Sequence, residues 1–265
     1  MSKLETCVLC PRLCRPACPV ATATGREAAV PGLIAAAVFD WQRKLVDDEV
    51  VKDALALCTD CGACTSFCHI KQPLSELLAE ARTAVGLLKN PQPVSEVSGS
   101  GSFVAVLADE RDWAPALAKI LSEPVRSLTT TDALGAYSVG GPGWKNHKVR
   151  LKDTFRGLSP VIADGGTKKA LEAADISFHW LHELVPELAA ESGSCCAPGT
   201  PLKLACCGGA WPIVEERPEE ARQMGMYLLR DGSELALNDA RCSAHLRSCG
   251  ATVSDAVTRL MERAG

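Results

Sequence analysis

An α+β chain of more than one domain is predicted, and three observations predict it. Cysteines are gathered rather than spread. Of fourteen in 265 residues, Cys7, Cys10, Cys14 and Cys18 form one group, Cys58, Cys61, Cys64 and Cys68 a second, and Cys195, Cys196, Cys206, Cys207, Cys242 and Cys249 a third. Apolar residues in the first third recur at helical spacing, whereas later in the chain short β-type runs alternate with amphipathic helices. Between the two textures lies a Pro-, Ser- and Gly-rich stretch, which is linker chemistry. The expected organisation is a helical domain over 1–88, a linker over 89–102, and an α/β domain over 103–265. The first half of that last domain (103–190) has no cysteines and its second half (191–265) holds the third group.

In the N-terminal part Pro31 suits a first helical position ahead of Leu33, Ile34, Ala37, Val38 and Trp41. Asp47 or Asp48 caps a helix carrying Val50, Val51, Ala54, Leu55 and Leu57, and Pro73 opens a third with Leu74, Leu77, Leu78, Ala81 and Val85. Beyond the linker, Phe103 to Leu107, Pro160 to Ala163, Leu202 to Ala205 and Glu234 to Leu237 read as strands. Asp112 to Leu121, Thr167 to Ala174, Glu219 to Leu229 and Ser254 to Met261 read as helices.

A weak internal repeat runs through this C-terminal part. Ser138-Val-Gly-Gly-Pro-Gly-Trp144 lies over Cys206-Cys-Gly-Gly-Ala-Trp211, and Val161-Ile-Ala-Asp164 with its following helix lies over Ala236-Leu-Asn-Asp239. Ser138 and Val139 then take the places of Cys206 and Cys207, and Thr167 falls where Cys242 stands. The reading is of two half-domains, the first degenerate.

Tight cysteine groups favour metal over disulfides, because metal sites need several thiolates within a turn or two of chain. Cys58-x2-Cys61-x2-Cys64-x3-Cys68 has the spacing of a bacterial ferredoxin run, in which three thiolates hold one cubane and the fourth ligates the other. The first group, ending Cys18-Pro19, supplies the matching half. By this logic Cys7, Cys10, Cys14 and Cys68 bind one [4Fe-4S] cluster and Cys18, Cys58, Cys61 and Cys64 the second. Gly62 permits close backbone approach. Paired Cys-x2-Cys motifs also build structural zinc sites, which is the alternative.

With Cys7-Val-Leu-Cys-Pro-Arg-Leu-Cys-Arg-Pro-Ala-Cys-Pro-Val20 and Cys58-Thr-Asp-Cys-Gly-Ala-Cys-Thr-Ser-Phe-Cys68, the N-terminal part resembles the α-helical ferredoxin domain of heterodisulfide-reductase-like iron–sulfur proteins. The C-terminal part resembles, more loosely, their cysteine-rich CCG domain, with Cys206-Cys207-Gly208 as signature. The iron–sulfur subunits of glycolate oxidase and anaerobic glycerol-3-phosphate dehydrogenase share this architecture. The resemblance implies an electron-transfer subunit, which relays single electrons between a flavoprotein or other oxidoreductase subunit and a quinone, disulfide or other carrier. It also implies at most one further Fe-S cluster, on Cys206, Cys207, Cys242 and either Cys195 or Cys196. Cys249 is then an alternative ligand or a buried thiol. Zinc at the third site, or a catalytic C-terminal cluster that reduces a disulfide, are the other readings.

A net charge of -4 and a pI near 5.8 offer no footprint for nucleic acid. Leu33 to Phe39 is far short of the roughly 20 residues that span a bilayer, so any membrane association is expected to run through a partner. With no signal segment, a reducing cytoplasm is the expected location. His69, next to a cluster cysteine, could hydrogen-bond there or equally stay solvated, and His245 could hydrogen-bond near Cys242 or equally play no such role. His179 and His182, three apart on an expected helix beside Glu183, read as surface or packing residues. The glycines at 140–143 and 165–166 lack a phosphate-loop context, and no nucleophile or His-Glu-x-x-His motif is present. No catalytic constellation is therefore expected outside the cysteines.

Overall fold

The computed structural model describes residues 3–88, 90–190, 192–193, 200–201, 204, 206–230 and 235–265. Along the chain the helices are α1 (Lys3–Leu9), α2 (Pro19–Thr24), α3 (Pro31–Gln42), α4 (Asp48–Ala56), α5 (Ala63–Phe67) and α6 (Leu74–Ala84), followed by strand β1 (Phe103–Leu107). Then come α7 (Ala114–Leu121), β2 (Val125–Thr129), α8 (Trp144–Thr154), β3 (Ser159–Ile162), α9 (Gly165–Ala173), β4 (His179–Trp180) and α10 (Leu181–Leu184). The short strands β5 (Ser192–Gly193) and β6 (Thr200–Pro201) precede α11 (Ile213–Glu216) and α12 (Pro218–Leu228). The chain ends with β7 (Leu235–Ala236), α13 (Ala240–Ser248), β8 (Val253–Ser254) and α14 (Ala256–Ala264). None of the described helices is long and apolar enough to cross a membrane.

Two compact units are formed, Met1–Leu88 with Leu202–Ser233, and Lys89–Pro201 with Glu234–Gly265. The first is helical. Pro31 opens α3 with its ring at the first turn, where the missing N–H costs nothing, and Asp47 caps α4 by accepting from the Val50 N–H at 3.1 Å. Ile34, Val38, Val51, Leu55, Leu74 and Leu78 fill the core between these helices. Helix α12, from the C-terminal part of the sequence, packs on α2. Arg26, just after α2, pairs with Glu220 of α12, and Arg217, which precedes α12, pairs with Asp53 of α4.

The second unit is built on a four-stranded parallel sheet in the order β2-β1-β3-β4. In β1, Val104 and Val106 enter one core with Leu128, Trp144, Leu151 and Ile162. Ala105 and Leu107 enter another with Trp113, Leu117, Leu181 and Leu260. Successive side chains point to opposite faces, so a strand covered on both sides reads as an unbroken apolar run.

Three local differences from expectation have physical causes. Strand β2 went unread because it is an edge strand with a single deeply buried residue, Leu128. Helix α8 went unread because only Trp144, His147 and Leu151 anchor a face in an otherwise charged segment. His179, expected on a helix with His182, lies in β4, and His182 alone is helical. The 90–102 segment is not free in the way its composition suggests. Val94 and Val97 pack on the sheet's core, Ser98 bridges Ser127, and the Gln92 N–H donates to Asp132 at 2.9 Å. The expected strand at 202–205 lies, Leu204 apart, outside the described residues, as does Glu234 of the expected 234–237 strand.

Candidate metal centre

Eight cysteines of the first unit border two cavities. Cys7, Cys10, Cys14 and Cys68 line one of about 120 Å³, together with Cys64. Cys18, Cys58, Cys61 and Cys64 line the other, of about 30 Å³. Cys64 borders both, so the cavities are neighbours.

Local structure explains why the thiols converge. The 10–18 segment folds into a tight turn, with Arg12 in the left-handed region and a single 3-10 turn at Arg15–Ala17 that puts Cys14 before it and Cys18 after. Cys18 then opens α2, with Pro19 at its first position, and its Sγ donates to the Ala29 carbonyl at 3.3 Å. In the 58–64 loop, Asp60 and Gly62 both adopt positive φ (55° and 70°), which curls the loop round its own thiols. The Asp60 N–H is directed at Cys58 Sγ at 3.4 Å. This is the kind of N–H to sulfur contact that tunes clusters.

Arg82, which sequence reasoning passed over, sits beneath that loop. Its side chain is 1% exposed, and its guanidinium lies 3.3 Å from Asp60 Oδ1 and donates to the Cys58 carbonyl at 3.3 Å. Burial works to lower its pKa, but the charges and hydrogen bonds of Cys58 and Asp60 outweigh it and the pKa rises. The signal was present in the sequence. Arg82 falls four residues after Leu78 on the apolar stripe of α6, where a long cation has to find a partner.

Burial is the largest influence on five of these thiols, Cys7, Cys14, Cys18, Cys61 and Cys64. It pushes Cys7 up to about 11, with Cys14, Cys68 and Cys10 adding to it, and pushes Cys18 to about 11. Cys64 rises to about 12 through burial and then Cys58. Cys61 also rises, through burial and then the nearby Cys206. Crowded thiols in apolar surroundings hold their protons until a positive centre replaces them. Among the described residues no three Cys, His, Asp or Glu side chains converge on a point that one metal ion would fill. The eight thiols instead line two neighbouring cavities. An all-sulfur donor set distributed round a volume fits an iron–sulfur cluster.

The third cysteine group is divided. Cys206 and Cys207 are buried in the first unit, where the Gly208 and Gly209 N–H groups point at their sulfurs at 3.5 and 3.3 Å. Cys242 is buried and Cys249 half-buried in the second unit, with Cys249 Sγ 3.8 Å from His245 Nε2. Cys195 and Cys196 lie outside the described residues. His182 is buried against Trp180 with neither ring nitrogen hydrogen-bonded, and burial lowers its pKa, so it packs as a neutral ring. His69, at the edge of the larger cavity, is exposed.

Residues 3–71 match the profile of the 4Fe-4S dicluster domain family. That span contains all eight cysteines that border the two cavities. Comparison with curated proteins and with solved structures returns no match.

Proposed function

We propose that this protein is an iron–sulfur electron-transfer subunit. In this reading Cys7, Cys10, Cys14 and Cys68 hold one [4Fe-4S] cluster, and Cys18, Cys58, Cys61 and Cys64 hold a second. Single electrons pass between a flavoprotein oxidoreductase and a further acceptor, which is a quinone, a disulfide or another carrier. The observation that carries the reading is the pair of thiol-lined cavities with Cys64 on the border of both, whose cysteines all lie inside the span that matches a dicluster domain. When bound, the clusters supply one-electron redox chemistry. The chain's own residues hold and shield them: Arg82 and Asp60 brace the 58–64 loop, while Pro19, Ala29 and Ile34 keep water from the second cavity.

The C-terminal part is, in the same proposal, a CCG-type domain with a degenerate first half. Two features support this. The glycines that follow Cys206-Cys207 direct N–H groups at both sulfurs, and Asp164 and Asp239 cap their helices three residues ahead of Thr167 and Cys242 in the same way.

Anaerobic purification followed by iron, acid-labile sulfide and zinc analysis tests the reading. About eight irons per chain are expected from two cubanes, with reduction by dithionite giving the paired spectrum of two interacting clusters. About twelve irons would add a cluster on the C-terminal cysteines. Zinc without iron would overturn the electron-transfer role.

A further inference from the structure

The two cavities differ in how they meet the surface. The second is bordered by buried or half-buried residues, among them Cys18, Pro19, Ala29 and Ile34. The first is lined in part by Leu13 and Ile70, which are 55% and 65% exposed. Leu9 and Phe67, next to Cys10 and Cys68, are 71% and 55% exposed. Those four are among the nine most exposed large apolar side chains of the described residues, and all four follow or precede a cysteine of the first cavity within two positions. Scattered exposed apolar residues are ordinary, but a group of them beside one cavity marks an interaction site.

Charge in the two segments that carry these four residues runs against that of the chain. The whole protein carries a net charge of -4. Neither 9–17 nor 63–72 contains an acidic residue, whereas the two segments carry Arg12, Arg15, His69 and Lys71. Arg15 is paired with Glu27, which Arg12 also faces. Lys71 is exposed and donates to the Ser66 carbonyl at 3.0 Å. The two segments thus combine exposed apolar side chains with basic ones.

We propose that these two segments are the electron port of the protein, and that the partner they receive is an acidic, flavin-bearing electron carrier whose docking face is partly apolar. The inference rests on the electron-transfer reading above and adds to it which cluster meets the partner. At each encounter the carrier loses one electron and the cluster held by Cys7, Cys10, Cys14 and Cys68 gains it; no bond is made or broken. The second cluster, whose cavity is lined by no exposed residue and shares the Cys64 wall, exchanges electrons with the first. The basic side chains steer an acidic carrier by long-range attraction, and the apolar ones supply the short-lived close contact.

The test uses the cluster-loaded full chain and reduced flavodoxin, an acidic flavoprotein, as probe, with the rate of cluster reduction followed by stopped flow. The rate is expected to fall steeply as salt rises. Lys71→Glu and Leu9→Asp, at positions that do not border the cavity, are each expected to slow it about tenfold at low salt. Reduced methyl viologen, a small cation, serves as the control for intact clusters and should not be slowed by either variant. A flavodoxin rate indifferent to salt and to both substitutions, in protein that viologen reduces normally, would overturn the port while leaving the electron-transfer role standing. A chain that holds no iron would instead overturn that role, and with it the port.

Discussion

Arg82 Nη1 stands 3.3 Å from Asp60 Oδ1, joining α6 to the loop that carries Cys58, Cys61 and Cys64. Because the guanidinium is almost wholly buried and its other terminal nitrogen donates to the Cys58 carbonyl, the loop's curvature depends on a charge that cannot be exchanged for water. Arg82→Met keeps the length of the stem and removes the fork. It is expected to destabilise the first unit by about 3 kcal/mol, since breaking a buried pair leaves the other charge uncompensated. It should also halve the iron retained on gel filtration, with Arg82→Lys intermediate. Urea midpoints and iron counts equal to wild type would remove Arg82 from any role in holding the loop.

Asp164 and Asp239 are coupled in the second unit. Asp164 accepts from the Thr167 N–H at 2.9 Å and Asp239 from the Cys242 N–H at 2.7 Å, each capping the helix that follows. Asp239 also reaches across to accept from the Gly165 N–H at 2.8 Å, while the Ala240 N–H donates to the Ala163 carbonyl at 2.7 Å. The two capping turns therefore hold each other. Asp239→Ala removes one cap and one cross-link, and the loss expected is about 2–4 kcal/mol. Asp164→Ala should cost about 1–2 kcal/mol through the loss of its cap. Denaturant midpoints with unchanged slopes measure both, and equal losses would show that the cross-link contributes nothing.

How much of this was legible in the sequence depends on where each contact closes. Spacing alone picked out the eight N-terminal cysteines, because two tight groups of thiols are a local pattern, and in the structure those eight line the two cavities. Helices α3, α4 and α6 were legible because each pairs an apolar stripe with a Pro or Asp start. The overlay that set Thr167 against Cys242 meets matching caps in the structure. What escaped notice was tertiary. Nothing local in Ile213 to Leu228 tells that α12 packs on α2 through Glu220 and Arg26, nor that His147 turns inward to the Leu134 carbonyl. Such contacts join residues far apart in the chain, and a single sequence has no periodicity that records them.

Asp255 predicts the acid limit of the second unit. It caps α14 by accepting from the Thr258 N–H at 2.8 Å, and it receives Arg111 and Arg247, each at 2.9 Å. Burial alone would raise its pKa, but the hydrogen bonds and charge of Arg111, the Thr258 N–H and Arg247 outweigh burial and lower it. A carboxyl whose folded pKa lies below its unfolded value of about 3.9 stabilises the protein above that value and loses its contribution as pH falls through the folded pKa. Asp255→Asn should therefore be less stable than wild type at pH 7 by about 2–4 kcal/mol. The gap should begin to narrow below about pH 4 and close only at lower pH. A gap that is constant from pH 7 to pH 2 would show that the carboxylate's charge plays no part.

Gly101 tests whether the segment over 90–102 is a strap rather than a tether. Its φ is +114°, and a Cβ there would stand 1.9 Å from the Pro124 carbonyl oxygen, while its own carbonyl accepts from Arg126 Nε at 2.7 Å. An alanine meets two obstacles at once, a backbone conformation that L residues rarely adopt and a collision with backbone that has no flexible end to yield. A free linker would tolerate Gly101→Ala without loss. A strap docked through Val94, Val97 and Ser98 should lose about 2–4 kcal/mol and detach from the edge of the sheet at β2. Detachment is read by cleavage after Glu96 with a glutamate-specific protease, which should be slow in the wild type and several-fold faster in the variant. Equal cleavage and equal urea midpoints would return the segment to the flexible linker that its composition suggests.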